Sequence, residues 1–483
     1  MVAALAACGP TPAAEDTVLR IGIADPVVVS NYDPRLPTFY GGDYGNQAVF
    51  DALFYRDATT VSPRVATEWS ISEDGLTVSV TLRDDVQFTD GTSLDAAAVK
   101  ANLEAFKAPE AGSSGGLSAL AEVEVTGDYS VDLILSRPDR GLLPFIADLS
   151  LLRPEDLTAA TPPEVPVGSG PYVVDVDATT AGVEYTYTRN PDYWEPERYP
   201  YDTIVVSALP DDVARLNALK SDQIDFAPIG TSYAAEAEAS GLTVKASPDG
   251  WTGLVFEDRD GDVLAPIGDL RVRQAISMAF DRQAILDTID LYGIPSNQVF
   301  AEGTPEYVAD LESMYPYDPE KAKELLAEAG YPDGFDLTLA GFVGWSGYQP
   351  VVTQSLGDIG IRVTFEERQF EELWADYQAG AYPVVMISAP AAYTFPWFIQ
   401  PDGLFTGNRH PDATVSALLE TINGPDDEAS AEASQELGTY ILENALITPV
   451  GHAAPAAAST PSVTYEFRPG SAIVPLYGFG IAG

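Results

Sequence analysis

"LTVSVTLRDDVQFTDGTSLDAAAVKANLEAF", Leu76 to Phe106, changes its hydrophobic period partway along, and that change sets the fold class. From Leu76 to Leu82 apolar and polar residues alternate, the period-two pattern of a half-buried strand. Glu73-Asp74-Gly75 opens this strand as a turn and Arg83-Asp84-Asp85 closes it. "SLDAAAVKANLEAF", from Ser93, then reads as a helix, and "APEAGSSGG" after it as a loop.

The same alternation runs outward in both directions. Val18 to Ile23 reads as the first strand, after a polar tether over Thr11 to Asp16. "NQAVFDALFY", from Asn46, carries apolar residues at helical spacing. "EYTYTRN" and "DTIVVSAL" read as strands flanking the loop "PDYWEPERYPY", with a helix expected over Asp212 to Leu219. In "GDLRVRQAISMAFDRQAILDTI" one helical face holds Val272, Ile276, Ala279 and Phe280. In "YDPEKAKELLAEAGYPDG" Asp318 is placed as an N-cap, Pro319 at the first helical position and Gly330 at the end. Alternating strands and helices without an internal repeat predict an α/β architecture.

Composition narrows the function. The 483 residues are 46% hydrophobic and 10% aromatic, enough for a large core, and the length suggests about three domains. There is no apolar run of the ~20 residues a membrane span needs. With 73 acidic against 25 basic residues the net charge is −48. Such a field repels phosphate backbones and anionic headgroups, so nucleic acid is not expected as a partner. The acids are spread along the chain, as on a solvated surface.

Catalytic and cofactor motifs are missing or fail in context. None of the six lysines follows a glycine, which removes a Walker A loop, and none has a serine three residues before it. "GWSGY" at Gly344 lacks the final glycine of a nucleophile elbow. His410 and His452, both beside loop residues, read as surface histidines and give poor material for a triad or a zinc site. "GFGIAG", Gly478 to Gly483, matches a dinucleotide fingerprint by letter, but no helix can follow it to meet a pyrophosphate. "EDRDGD", Glu257 to Asp262, has calcium-like spacing without a distal glutamate and reads as a surface turn. No cofactor, no metal and no enzymatic activity are expected.

The single cysteine, Cys8, cannot close an internal disulfide. It follows the apolar run Val2 to Ala7, and Leu5-Ala6-Ala7-Cys8 resembles a bacterial lipobox. Further segments carry a resemblance across nearly the whole chain. They are "PRVATEWSISEDGLTVSVTLRDDVQFTDGTSLDAAAVK" from Pro63, "VGSGPYVV" from Val167 and "RNPDYWEPERYPYDTIVV" from Arg189. "RLNALKSDQIDFAPI" from Arg215, "DLRVRQAISMAFDRQAIL" from Asp269, "DPEKAKELLAEAGYPDGF" from Asp318 and "LGDIGIRV" from Leu356 follow in the same order. Together they resemble the family 5 extracellular solute-binding proteins, the oligopeptide- and dipeptide-binding proteins of ABC importers.

The resemblance implies a bilobed periplasmic-binding-protein-like fold of type II, cluster C, with an extra domain inserted in the first lobe. Residues 1–16 would be a signal remnant and tether; 17–48, 169–264 and 462–483 the first lobe; 49–168 the extra domain; and 265–461 the second lobe. It implies capture of a small solute between the lobes by a monomer that hands it to a permease with separate ATPase subunits. Cys8 would be lipidated and hold the protein to the outer face of the membrane. A secreted hydrolase on the same scaffold is the competing class, and a signalling receptor would need the same hinge.

Peptide-binding members pair an aspartate of the second lobe with the peptide's α-ammonium, because an unpaired buried charge is costly. The corresponding stretch here, Val384 to Gln400, contains no acid; Tyr393, Phe395, Trp397 and Phe398 stand there. Aromatic faces suit sugars, flat heterocycles or cations. Peptide remains the family expectation and oligosaccharide or another non-peptide solute the alternative, with Asp402 or Glu371 as the acids that would restore a peptide reading. By position in the resemblance, Val28 and Asn31 in the first-lobe loop, Trp251 near the hinge, and Trp345 and Tyr348 complete the expected ligand-binding set.

Overall fold

The computed structural model describes residues 17–24, 32, 44–56, 60–108, 114–158, 165–248, 250–342, 347–369, 372–373, 376–377, 379–391, 394–399, 412–468 and 471–483. Three sheets organise them. The first is a seven-stranded mixed sheet in the order Thr243–Ala246, Ala456–Ser459, Phe226–Ile229, Val18–Ile23, Thr203–Ala208, Glu184–Arg189, Tyr172–Val174. Val18–Ile23 is parallel to both neighbours, with Val18 opposite Thr203 and Ile21 opposite Phe226. The helix Asp212–Lys220 makes the connection between those neighbours, as a parallel arrangement requires.

The second sheet has five strands in the order Arg362–Arg368, Asp336–Phe342, Val384–Ala389, Gly250–Phe256, Ile447–Ala453. It carries an apolar core on each face. Trp251, Val255, Ile387, Phe398 and Leu437 pack on one side. Leu254, Phe256, Ile276, Phe280, Leu326 and Leu339 pack on the other. Residues 254 and 255 point to opposite faces, which is the period-two rule at work.

The third is a four-stranded antiparallel sheet, Ala66–Ile71, Thr77–Leu82, Ser130–Leu135, Leu120–Gly127, covered by the helix Ala96–Lys107. Thr77–Leu82 is the alternating strand that the sequence shows, and Asp95 caps the helix by accepting from the Ala98 N–H at 2.9 Å. This inserted unit shares one continuous core with the seven-stranded sheet, from Leu19 and Ile21 through Val80, Leu103 and Phe106 to Tyr187. A buried polar knot fastens it as well. Asp51 accepts from Arg64 Nε at 3.0 Å, Tyr193 Oη at 3.1 Å and Trp194 Nε1 at 3.3 Å. Burial pushes the Asp51 carboxyl up, while Arg64 and the two ring donors pull it back.

Several expectations need correction. "NQAVFDALFY" is not one helix: the helix is Tyr44–Val49, and Phe54–Arg56 is a strand paired with Val61–Pro63. Asp51, spent on Arg64, sits where the helix would continue. "GDLRVRQAISMAFDRQAILDTI" forms two helices, Leu270–Met278 and Arg282–Ile289, because Asp281 caps the second by accepting from the Ala284 N–H. The expected core face Val272, Ile276, Ala279 and Phe280 is buried nonetheless.

The expected lobe boundaries shift too. Gly250–Phe256 belongs to the five-stranded sheet, so the chain passes between sheets at 247–249 and not at 264/265. Ala456–Ser459 belongs to the seven-stranded sheet, so the return is at 454–455 and not at 461/462.

Candidate solute-binding site between the lobes

The register of the two sheets decides which loops meet. In the seven-stranded sheet, Ile23 pairs with Ala208, Ile229 with Ala456 and Ala456 with Ala246, so these strand ends share one edge. In the five-stranded sheet, Trp251 pairs with both Ala389 and His452. Asp336–Phe342 runs parallel to Val384–Ala389, so its C-terminal end lies at that same edge. The two crossings, 247–249 and 454–455, join these two edges, and the Ser247 N–H donates to the Pro455 carbonyl at 3.2 Å. Two short crossings held side by side are the geometry of a hinge.

Each expected ligand segment therefore leaves from this paired edge. Val28 and Asn31 follow the strand ending at Ile23, Trp345 and Tyr348 follow the strand ending at Phe342, and 393–398 follows Ala389. Val28, Asn31, Trp345, Tyr393, Glu371, Asp402, His410 and Cys8 lie outside the described residues, as does the Trp397 side chain.

Tyr348 is half-buried with its hydroxyl in hydrogen-bonding reach of Thr252, and burial lifts its phenol to about 12. Thr252 in turn donates to Ser388 Oγ at 3.0 Å. Tyr348, Thr252 and Ser388 thus form a hydroxyl row at the end of the second-lobe sheet, half-buried at Tyr348 and Ser388 and buried at Thr252, neutral throughout the physiological range. Thr252 and Ser388 carry no motif; only their positions at the ends of two adjacent strands bring them together.

Phe395 is half-buried and packs edge-on to Phe300, ring centroids 5.0 Å apart. Trp251 and Phe398 correct the expectation of direct ligand contact. Both are fully buried, pack against each other at 5.7 Å, and belong to the core under the edge. Trp251 Nε1 donates to Thr394 Oγ1 at 2.9 Å, tying the segment after Ala389 to the crossing.

Gly250 explains part of this closeness. Its φ is +151°, and a Cβ there would stand 2.1 Å from the Ala389 carbonyl oxygen. Only glycine lets the crossing strand lie so near its neighbour.

His452 is also corrected: it is buried in a strand, not at the surface. Its backbone exchanges both hydrogen bonds with Ile294, at 2.8 and 2.9 Å. Its Nε2 has no hydrogen-bond partner among the described residues, and burial pushes its pKa down. "EDRDGD" corrects the expectation in part: it is a turn, but Glu257 and Asp258 are buried, Glu257 accepting from Tyr377 Oη and Asp258 from the N–H groups of Asp262, Val263 and Leu264 at 2.7, 3.0 and 2.5 Å. "GFGIAG" forms the edge strand Phe479–Ile481, paired with Val463–Tyr465. Among the described residues no helix is long and apolar enough to cross a membrane.

Comparison with known proteins agrees with this geometry. Residues 60–410 match the family described as bacterial extracellular solute-binding proteins, family 5 middle. The glutathione-binding protein GsiB of Salmonella paratyphi A is 31% identical over 379 residues, spanning 73% of this chain and 69% of that protein. The binding protein AgaA of A. tumefaciens R10, solved with agropinic acid, superposes with a TM-score of 0.83 at 24% identity over 96% of this chain and 99% of that one. DppA of Helicobacter pylori, solved with the peptide STSA, gives 0.79 at 20% identity over 97% and 99%. The bilobed α/β fold with its inserted unit is that of these proteins, and the chain belongs to the family 5 bacterial extracellular solute-binding proteins.

Proposed function

We propose that this protein takes a short peptide or peptide-like solute into the cleft between its two sheets and delivers it to an ABC permease. It would work as a monomer, without catalysis and with Cys8 as a lipid anchor on the outer face of the membrane. The observation that carries the reading is the convergence of ligand segments on the paired sheet edges beside two adjacent crossings. The relatives add the solute class, since GsiB is named for glutathione and DppA was solved with a peptide.

A non-peptide solute is the second reading. Val384 to Gln400 offers no carboxylate for an ammonium, and the half-buried residues at the described part of the cleft edge include Tyr348, Ser388 and Phe395. An oligosaccharide would suit both.

Tryptophan fluorescence separates the two. Protein stripped of carried solute by denaturation and refolding is titrated with a pool of short peptides including glutathione, and with a pool of oligosaccharides. Saturable change with peptides alone supports the first reading. Change with sugars alone moves the assignment to carbohydrate. Trp251, pinned to Thr394 at the crossing, is placed to report the closure.

A further inference from the structure

The inserted unit touches the second lobe at Arg140, far from the crossings in the chain. Its guanidinium donates through Nε and Nη2 to the Gly424 carbonyl at 2.9 and 2.7 Å. Its backbone N–H donates to Asn423 Oδ1 at 3.2 Å, and Nη1 lies 2.7 Å from Asp427 Oδ1. Asn423 ends the helix Ala413–Asn423 and Asp427 begins the helix Asp427–Glu443. Arg140 therefore caps the turn between two helices of the opposite lobe. The carbonyl end of the first helix carries the negative pole of its dipole, and a planar fork can address one carbonyl with two donors.

We propose that Arg140 is a positioning residue for closure, a latch that biases the two lobes toward the arrangement seen here and so sets how tightly and how long solute is held. This rests on the reading that the lobes close on a solute. Two features suit a latch that must also release. The contact is solvent-exposed, with Arg140 at 40% and Asp427 at 91% side-chain exposure, so the ion pair by itself adds little and the carbonyl fork dominates. The chain is strongly acidic, and Asp426, Asp427 and Glu428 stand on one side of the contact with Asp139 beside Arg140 on the other. One guanidinium there opposes repulsion that would otherwise separate the lobes.

The test measures the distance between spin labels at Glu104→Cys on the inserted unit and Glu436→Cys on the second lobe, in a Cys8→Ser background. Both positions are exposed and lie outside the contact. Distances are recorded on protein as purified and after stripping, so that the result does not depend on which solute pool binds. Arg140→Ala is expected to shift the ratio of near to far populations about fivefold toward far in at least one state, the scale of a lost charge-assisted bond. Asp427→Lys, which places a cation against Arg140, should shift it the same way by less. Should Arg140→Ala lower Tm, Asp427→Lys alone decides. Unchanged distances in both states with unchanged Tm overturn the latch, whatever the titrations show.

Discussion

The two halves of this molecule are held together by different means. The seven-stranded sheet and the inserted unit share one core and are fastened further by charge: Asp51 buried with Arg64, and the partly exposed Asp148 bridging Arg56 and Arg468. The five-stranded lobe packs apolar side chains on each face of its sheet, with Trp251 and Phe256 on opposite sides, and its buried Arg273 and Arg282 donate, among the described residues, to backbone carbonyls and not to carboxylates. Among the described residues the halves meet at two short crossings and at the exposed contact of Arg140. Rigid parts joined by a weak seam can move as bodies, which a solute receptor needs. The inserted unit is thus an extension of the first lobe, not a third moving part.

The largest effect should come from breaking the buried charge. Asp51→Ala leaves Arg64 without its carboxylate in a dry site and should cost about 3–5 kcal/mol in denaturant unfolding. Asp51→Leu combined with Arg64→Met should recover most of that loss, since an apolar pair of similar volume can replace a buried ion pair. A single change costing under about 1 kcal/mol would show that the knot is not what joins the inserted unit to the first lobe.

Next comes the crossing. Gly250→Ala forces a methyl against the Ala389 carbonyl at a φ that alanine avoids, and should cost about 1–3 kcal/mol. The accompanying sign is a red shift of tryptophan emission as Trp251 loses its seat. Unchanged emission would mean that the crossing has room to spare.

The third prediction concerns pH. His452 has its pKa lowered by burial, partly offset by Glu312, so the folded state favours the neutral ring. The stability tied to this group is complete above the unfolded value of about 6.5 and is lost as pH falls below it toward the folded pKa. Replacing it as His452→Gln should flatten Tm between about pH 6.5 and 5; carboxyls raised by burial, such as Asp51, are present in both proteins and drop out of the difference. An identical slope in the variant would assign the pH response elsewhere.

The smallest effect is general. Raising salt from about 0.01 M to about 1 M shortens the screening length from about 30 Å to about 3 Å and should raise Tm by a few degrees, because a net charge of −48 repels itself. A fall in Tm would mean that specific ion pairs outweigh the overall repulsion.

Local structure was legible where it depends on neighbours in sequence. The strand Thr77–Leu82, the Asp318 cap with Pro319 behind it, and Gly330 at φ +97° all follow from period and punctuation. The break at Asp281 was missed because both helices share one apolar face, so periodicity runs straight through the cap. At the cleft, family resemblance pointed to aromatic positions, yet it could not separate Phe395 at half burial from Phe398 in the core, three residues on.

By itself, then, the sequence determined the α/β class, the family and the charge, because composition, period and motif order are properties of the chain alone. Tertiary structure decided the rest. Strand register set where the lobes begin, placed Thr252 beside Ser388, buried Trp251 and His452, and brought Arg140 to Gly424. Those outcomes join residues up to 284 positions apart, and no local pattern encodes a distance of that kind.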